Sequence, residues 1–439
     1  MEIERPNNKP NKSVHHVTSV YDSKTLENVE SLRTLFVKAF SRDFMKFSTL
    51  RVLDASDASI VELPSSIGNL IHLRYLNLSE NYELATLPKS LCNLLNLQTL
   101  DLNDCWRLRS LPNHMRRMIN LRHLFMEGCD DLTEMAPEIG QLTNLKSLSV
   151  FIVDGRRGNQ LGGLQGLNLG GKLYIKHLER VENWEEAREA ANLAQKKNLY
   201  SLGLGWGRES ESSLPENAER VLDTLKPHPN LKELIIQDYP GTSFPRWMSD
   251  LELLQNLVRV SLNGCKNCQS VPPYSRLHWL KHLEISGMPC LERLSREEEK
   301  DVFPCLSRLI IGDCPKLTLM SCLPSLKDLQ VNGCSDVLLS SISNLSALKS
   351  LKIWRCDEIE SLPEQGLQGL NSLRSLEVFD CRKLKSLSKG LQHLKALDSL
   401  SLFGSHELVS LPEGIKHLHS LRYLRILGNR KLVVLPEAL

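Results

Sequence analysis

Near the start of the chain four stretches align on one phrase: LRVLDASDASIVELPSSIGNL from Leu50, LRYLNLSENYELATLPKSLCNL from Leu73, LQTLDLNDCWRLRSLPNHMRRM from Leu97 and LRHLFMEGCDDLTEMAPEIGQL from Leu121. The phrase returns at Leu348, Leu373, Leu397 and Leu421, and within both runs the copies lie mostly 24 residues apart. Weaker copies begin near Leu32, Leu145, Gly170, Leu199, Leu231, Leu257, Leu280, Leu306 and Leu326, which makes about seventeen units in 439 residues. A fixed period of this length constrains the fold more than any other feature, because one small unit cannot bury its apolar face alone and must stack on its neighbours.

Each unit carries two spacings. In L-x-x-L-x-L the last two leucines alternate at period two, so they point to one side of a short strand and the x residues to the other. In L-P-x-x-(I/L)-x-x-L the spacing becomes helical, as at Leu63, Ile67, Leu70, at Leu87, Leu91, Leu94 and at Leu411, Ile415, Leu418. The proline is expected in the first turn of that segment, where its missing N–H is harmless. Each leucine enclosed by stacking contributes about 1.5–3 kcal/mol over exposure. The expected fold is therefore α/β: a right-handed leucine-rich-repeat solenoid, or horseshoe. A parallel β-sheet lines its concave face, with short helices, 3-10 turns and loops on the convex face. Seventeen strands at about 4.8 Å spacing predict an arc on the order of 80 Å, a surface suited to another macromolecule. Residues 1–30 read as an N-terminal junction or cap and 31–439 as the repeat domain, irregular at 151–230 and 292–304.

The stretch SLNGCKNCQSVPP, Ser261 to Pro273, places Cys265 and Cys268 at the spacing of a zinc clamp. The repeat frame gives a simpler reading. The ninth position of L-x-x-L-x-L-x-x-(N/C) is Cys105, Cys129, Cys265, Cys314, Cys334, Cys356 and Cys381, with Asn81 and Asn429 in the same slot elsewhere. This residue turns inward where the chain bends and backbone groups need partners; Asn serves with its amide, and Cys is a small buried side chain with a weak S–H donor. A zinc site needs two further ligands in tetrahedral array, and the equivalent slots above and below hold Met288 and Asp238 by this frame, a poor pair. No metal site is expected.

Lys and Arg total 54 against 52 Asp and Glu, so no nucleic-acid partner is implied. The cluster Arg107, Arg109, His114, Arg116, Arg117 and Arg122 runs directly into Glu127, Asp130, Asp131, Glu134 and Glu138, a mixed surface. The polar start MEIERPNNKPNK is not a secretory signal, and no apolar run approaches the ~18 residues of a membrane span. Twelve cysteines are then expected as reduced thiols. Nucleotide-binding, hydrolase, metalloprotease and kinase signatures are all missing, so the chain is read as non-enzymatic with no catalytic residue. His417 and His419 read as solvated, and Glu297, Glu298 and Glu299 as a solvated loop. The insertions Asp154–Gly171, Arg208–Asn230 and Glu292–Pro304 interrupt the rhythm, and Asn183–Lys197 reads as a charged amphipathic helix on the outer side.

The irregular middle is more distinctive than the repeats. Leu202–Trp206 (L-x-L-x-W), Lys226-Pro227-His228, Tyr239-Pro240-Gly241, Phe244-Pro245-x-Trp247 and the Cys265/Cys268 doublet occur in order, preceded by VHHVTSVYD. Over nearly the whole chain this resembles the repeat region of plant intracellular immune receptors of the coiled-coil, NB-ARC, leucine-rich-repeat type. A departure from the family pattern is VPPYSRLHWL, which puts Tyr274, Arg276, His278 and Trp279 where a Gly- and Pro-rich turn is usual.

The resemblance implies a domain that recognises a pathogen effector or guarded host protein and restrains the nucleotide-binding module, with NB-ARC and coiled-coil domains as partners in cis or in trans. It implies a cytoplasmic address, extending to the nucleus or the inner plasma-membrane surface; the L-x-x-L-P repeats, lacking the G-x-I-P form of plant cell-surface receptors, agree. No cofactor is expected in this chain, since ADP or ATP would belong to an NB-ARC module whose motifs it lacks. The competing reading is a free-standing repeat scaffold or adaptor. The chain stops at KLVVLPEAL in mid-repeat, which leaves truncation, a partner at that end or a minimal cap open.

Specificity should lie on the outward x residues, since the leucines are committed to the core. Three successive repeats place Trp354, Phe379 and Phe403 just after the second inward residue; Leu427 extends the row, with Tyr423 and Arg425 beside it. Exposed aromatic and Arg groups make interface hot spots, so Trp354, Phe379, Phe403, Tyr423 and Arg425 are the expected partner-binding residues. The other reading is that the rings stack on one another and only shield the sheet.

Overall fold

The period-two leucines do form strands, and the next coil supplies each strand's hydrogen-bond partner. The computed structural model describes residues 15–20, 31–154, 160–181, 183–185, 187, 191–207, 215–294, 303–317 and 323–433. The chain divides into two units, Met1–Gly207 with Thr224–Asn230, and Arg208–Asp223 with Leu231–Leu439.

In the first unit, β1 (His16–Val20), β2 (Thr34–Val37), β3 (Val52–Asp54), β4 (Tyr75–Asn77), β5 (Thr99–Asp101), β6 (His123–Phe125) and β7 (Ser147–Leu148) pair in chain order. All are parallel, with leucines in register from Leu35 through Leu53, Leu76, Leu100 and Leu124 to Leu148. β1 lies inside residues 1–30 and aligns Val17 with Leu35. The ladder splits at Ser149: its N–H reaches Leu124 O at 3.2 Å, while its carbonyl accepts the N–H of Tyr174 at 2.8 Å. From there β8 (Val150–Ile152), β9 (Gly170–Lys176) and β10 (Asn198–Gly205) pair as a second ladder. This is one physical source of the irregular rhythm after residue 150.

The second unit is more regular. β11 (Glu233–Gln237), β12 (Arg259–Asn263), β13 (His282–Ser286), β14 (Arg308–Gly312), β15 (Asp328–Asn332), β16 (Ser350–Trp354), β17 (Ser375–Phe379), β18 (Ser399–Phe403) and β19 (Tyr423–Leu427) each contribute five residues and pair without a register shift. Each unit is built as a leucine-rich-repeat solenoid with a parallel sheet.

The L-P segments return as 3-10 helices, Ser65–Asn69, Lys89–Asn93 and Glu413–His417 among them. Pro64, Pro88 and Pro412 stand one residue outside, at the N-cap with extended backbone, and not in the first turn as expected. The reason is the hydrogen bonding: Pro64 O accepts the N–H of Ile67 at 3.0 Å, and Ile67 O accepts that of Leu70 at 3.1 Å. Ile67 and Leu91 are fully buried.

Two readings of the middle are corrected. Asn183–Lys197 is not one helix: Trp184, Glu185 and Ala187 are helical, but Asn192 takes a left-handed backbone (φ 44°), and a 3-10 helix, Leu193–Gln195, follows. Lys196 at its end is buried, not solvated. The insertion Arg208–Asn230 is not all loop either, since Pro215–Thr224 is an α-helix (α1) that buries Val221 and Leu222. Residues 155–159, 208–214 and 295–302 of the three insertions, Glu297 to Glu299 included, lie outside the described residues. No helix among the described residues is long and apolar enough to cross a membrane.

A candidate protein-recognition face

Zero register shift in the second unit sorts its outward residues into columns. The inward pairs Leu351/Ile353, Leu376/Val378 and Leu400/Leu402 are buried. The outward positions 1, 3 and 5 of each strand face away from them. In the last column, Asn332, Trp354, Phe379, Phe403 and Leu427 stand side by side on consecutive strands.

The structure brings four of these together as an apolar row. Phe379 and Phe403 stack with centroids 4.8 Å apart and planes 6° from parallel; Trp354 meets Phe379 edge-on at 5.5 Å. The arrangement bears on the second reading, that the rings stack on one another. The rings do stack, yet Trp354 remains 44% exposed and Leu427 68%. Stacked aromatics hold one another in place, which lowers the entropy lost when a partner covers them.

Tyr423 and Arg425 sit on β19, beside Ser399 and Ser401 of β18. Both are exposed, Tyr423 at 56%. They flank the row and are not part of it. Arg425 makes no ion pair among the described residues, whereas its neighbour Arg422 reaches Asp398 at 3.5 Å.

The same face carries a feature the sequence reading missed. Its charges pair sideways, between residues in register on adjacent strands: Glu233 with Arg259 at 3.2 Å, Arg308 with Asp328 at 2.9 Å, and Lys352 with Glu377 at 3.1 Å. His282 falls between Arg259 and Arg308, and burial together with those cations holds its imidazole below the usual range. With its acids and bases matched along the sheet, this face presents aromatic area and, among the described residues, few unpaired charges. The signal was in the sequence, at equal offsets from the repeat leucines.

In the first unit, exposed Tyr82 and Trp106 pack at 4.6 Å. They follow the ladder residues Asn81 and Cys105, so the repeat frame alone could have found the pair. The basic cluster there is neutralised in part: Arg107 pairs with Glu83 and Arg116 with Glu138, while Lys172 reaches Glu127 at 3.7 Å and Lys176 reaches Asp130 at 3.9 Å.

The ladder cysteines are all buried, Cys268 included. Cys268 donates to Gly241 O at 3.3 Å, and Cys105 and Cys129 donate to Leu78 O and Leu102 O at 3.2 and 3.1 Å. The coil before Cys265 is corrected: Asp238 takes a left-handed backbone (φ 53°), and Tyr239 fills the slot, its hydroxyl donating to Ser243 O at 2.7 Å. Tyr239 stacks on Phe244 at 5.6 Å, and Trp247 Nε1 donates to Leu222 O of α1 at 3.1 Å. Gly241 leaves no room for a Cβ against the Tyr239 ring. The Tyr239, Gly241, Phe244, Trp247 and Cys268 motifs thus pack together within the second unit, and their distinctiveness is that of a core. In the departing loop Tyr274 is buried while Trp279 is 61% exposed.

Stacked parallel strands, inward leucines and an Asn/Cys ladder define a leucine-rich-repeat protein. A family profile described as R13L1/DRL21 LRRs matches residues 161–288, and one described as Leucine Rich Repeat matches 72–94. The chain is 42% identical over 369 residues to the disease resistance protein RGA1 of Solanum bulbocastanum, covering 78% of this chain and 37% of that protein. It is 34% identical over 236 residues to the disease resistance RPP13-like protein 1 of Arabidopsis thaliana, covering 48% and 22%. A leucine-rich-repeat protein of Leptospira interrogans superposes with a TM-score of 0.46 at 21% identity over 92% of each chain. The chain is a leucine-rich-repeat region of the plant NLR-type disease resistance proteins, and it spans just over a third of the length of RGA1.

Proposed function

We propose that this chain is the sensing region of a cytoplasmic plant immune receptor. It recognises a pathogen effector, or a host protein that effectors modify, and holds a nucleotide-binding module inactive until it does so. The observation that carries this reading is the row Trp354, Phe379, Phe403 and Leu427, its two inner rings half-buried and Trp354 and Leu427 exposed, on a sheet face whose charges are matched sideways. Four large apolar groups in one line on a soluble surface call for a partner. Work of this kind is binding.

The test exchanges this chain for the repeat region of the RGA1 relative and expresses the hybrid in leaf tissue. Restraint predicts no cell death in unchallenged tissue. Recognition predicts a response to one class of challenge that Trp354→Ala, Phe379→Ala and Phe403→Ala abolish while the protein accumulates normally. A hybrid that kills tissue without challenge, or whose response ignores all three substitutions, refutes the corresponding half of the reading.

A further inference from the structure

The buried thiols of the ladder adopt two settings. Cys105 and Cys129 point back at the preceding coil and donate to its carbonyls, at Leu78 and Leu102. Behind the aromatic row the thiols turn toward one another. Cys356 and Cys381 lie near carbonyls of their own coils, Trp354 O at 3.4 Å and Phe379 O at 3.5 Å, and Cys334 Sγ lies 2.8 Å from Cys356 Sγ. Register explains the meeting. Asn332 and Trp354 are paired across β15 and β16, and each cysteine lies two residues further on. Parallel neighbours about 4.8 Å apart hold their Cα atoms within the span a disulfide requires, about 4.4–6.8 Å.

We propose that Cys334 and Cys356 are a peroxide-oxidisable pair that closes into a disulfide between adjacent coils. Cys356 is the attacking sulfur, because its Sγ accepts the backbone N–H of Cys334 at 3.3 Å while sitting 2.8 Å from the neighbouring sulfur. Hydrogen bonds from Cys334 and then Cys381 hold the Cys356 thiol below the usual range, and the same contact, followed by burial, pushes Cys334 up. The Cys356 thiolate attacks one peroxide oxygen, the O–O bond breaks, and hydroxide leaves, giving a sulfenic acid. The Cys334 sulfur then attacks Cys356 Sγ, the S–O bond breaks, and its proton leaves with the hydroxyl as water. Two thiols and one hydrogen peroxide become one disulfide and two waters, with two electrons passing from sulfur to oxygen. The bond would tie the coil of β16, which carries Trp354, to that of β15.

Purified full chain is treated with graded hydrogen peroxide, alkylated while folded and again after unfolding, then digested without reductant for mass spectrometry. The expected product is a Cys334–Cys356 linked peptide as the dominant disulfide, absent after dithiothreitol, with Cys105 and Cys129 recovered as thiols. Cys356→Ser should leave Cys334 a thiol, and Cys381→Ser should leave the link intact; circular dichroism checks that each variant is folded. Recovery of Cys334 and Cys356 as thiols at doses that oxidise the exposed Cys305 would overturn the proposal, as would a dominant Cys356–Cys381 bond.

Discussion

Asn81 makes five hydrogen bonds from one buried amide: Oδ1 accepts the N–H groups of Ala58 and Ile60 at 3.2 and 2.8 Å, and Nδ2 reaches Ala55, Leu78 and Ser79 carbonyls at 2.7–3.3 Å. Cysteine in the same slot gives one weak donor, so the slot tolerates both only where the neighbouring coil needs less. Asn81→Ala is expected to lower stability by about 2–3 kcal/mol, because it orphans buried amides; urea unfolding against Asn81→Cys, which keeps a donor, checks it. Lys196 is the opposite case, a cation no motif announced. Its Nζ donates to Leu164 O at 2.9 Å and Leu167 O at 2.6 Å, and burial holds the ammonium down to about 8. The unfolded chain keeps that proton up to about pH 10.4. Between those values the unfolded state binds more protons, so stability rises with pH, and below about 8 the buried charge counts against folding. Unfolding curves across that window should show a rise that Lys196→Met removes. The inward leucines were legible because periodicity reports them; Lys196 was not, because burying its ammonium depends on carbonyls some 30 residues away.

At the level of elements, strands were readable and their connections were not. A strand is announced by two leucines at period two, whereas a 3-10 helix and an α-helix both accept apolar residues three and four apart. How closely coils approach on the outer side also differs from one connection to the next. A Cβ at Gly369 would lie 1.7 Å from Ser343 O, but one at Gly166 would meet nothing within 4 Å. Gly369→Ala should therefore cost about 1–3 kcal/mol and Gly166→Ala much less, a contrast that paired thermal melts can read. On the sheet face the expectation is reversed. Trp354→Ala and Phe379→Ala remove rings that touch each other and solvent, so stability should fall by no more than about 1–2 kcal/mol while partner recognition is lost. A matched loss of both in the same unfolding and binding measurements would mean the rings serve the fold. The candidate residues were found by counting along the repeat; the sideways ion pairs became visible only once register showed which charges stand opposite.

Within each unit, the described contacts run mainly from one coil to the next, so stability should spread over short distances. Asn81→Ala should speed amide hydrogen exchange in β3, β4 and β5 and leave β16 to β18 unchanged, as mass spectrometry of exchanged peptides would show. The pairing of β11 to β19 without a single slip has another consequence. Each outward side chain has an address of strand and column, and inserting or deleting one complete 24-residue coil changes the strand number without touching the column. The chain can thus lengthen like a tiled course: aromatic tiles would shift by one strand width, still flush with their neighbours, and a face fitted to one partner could be re-spaced for another while its core stays as it was.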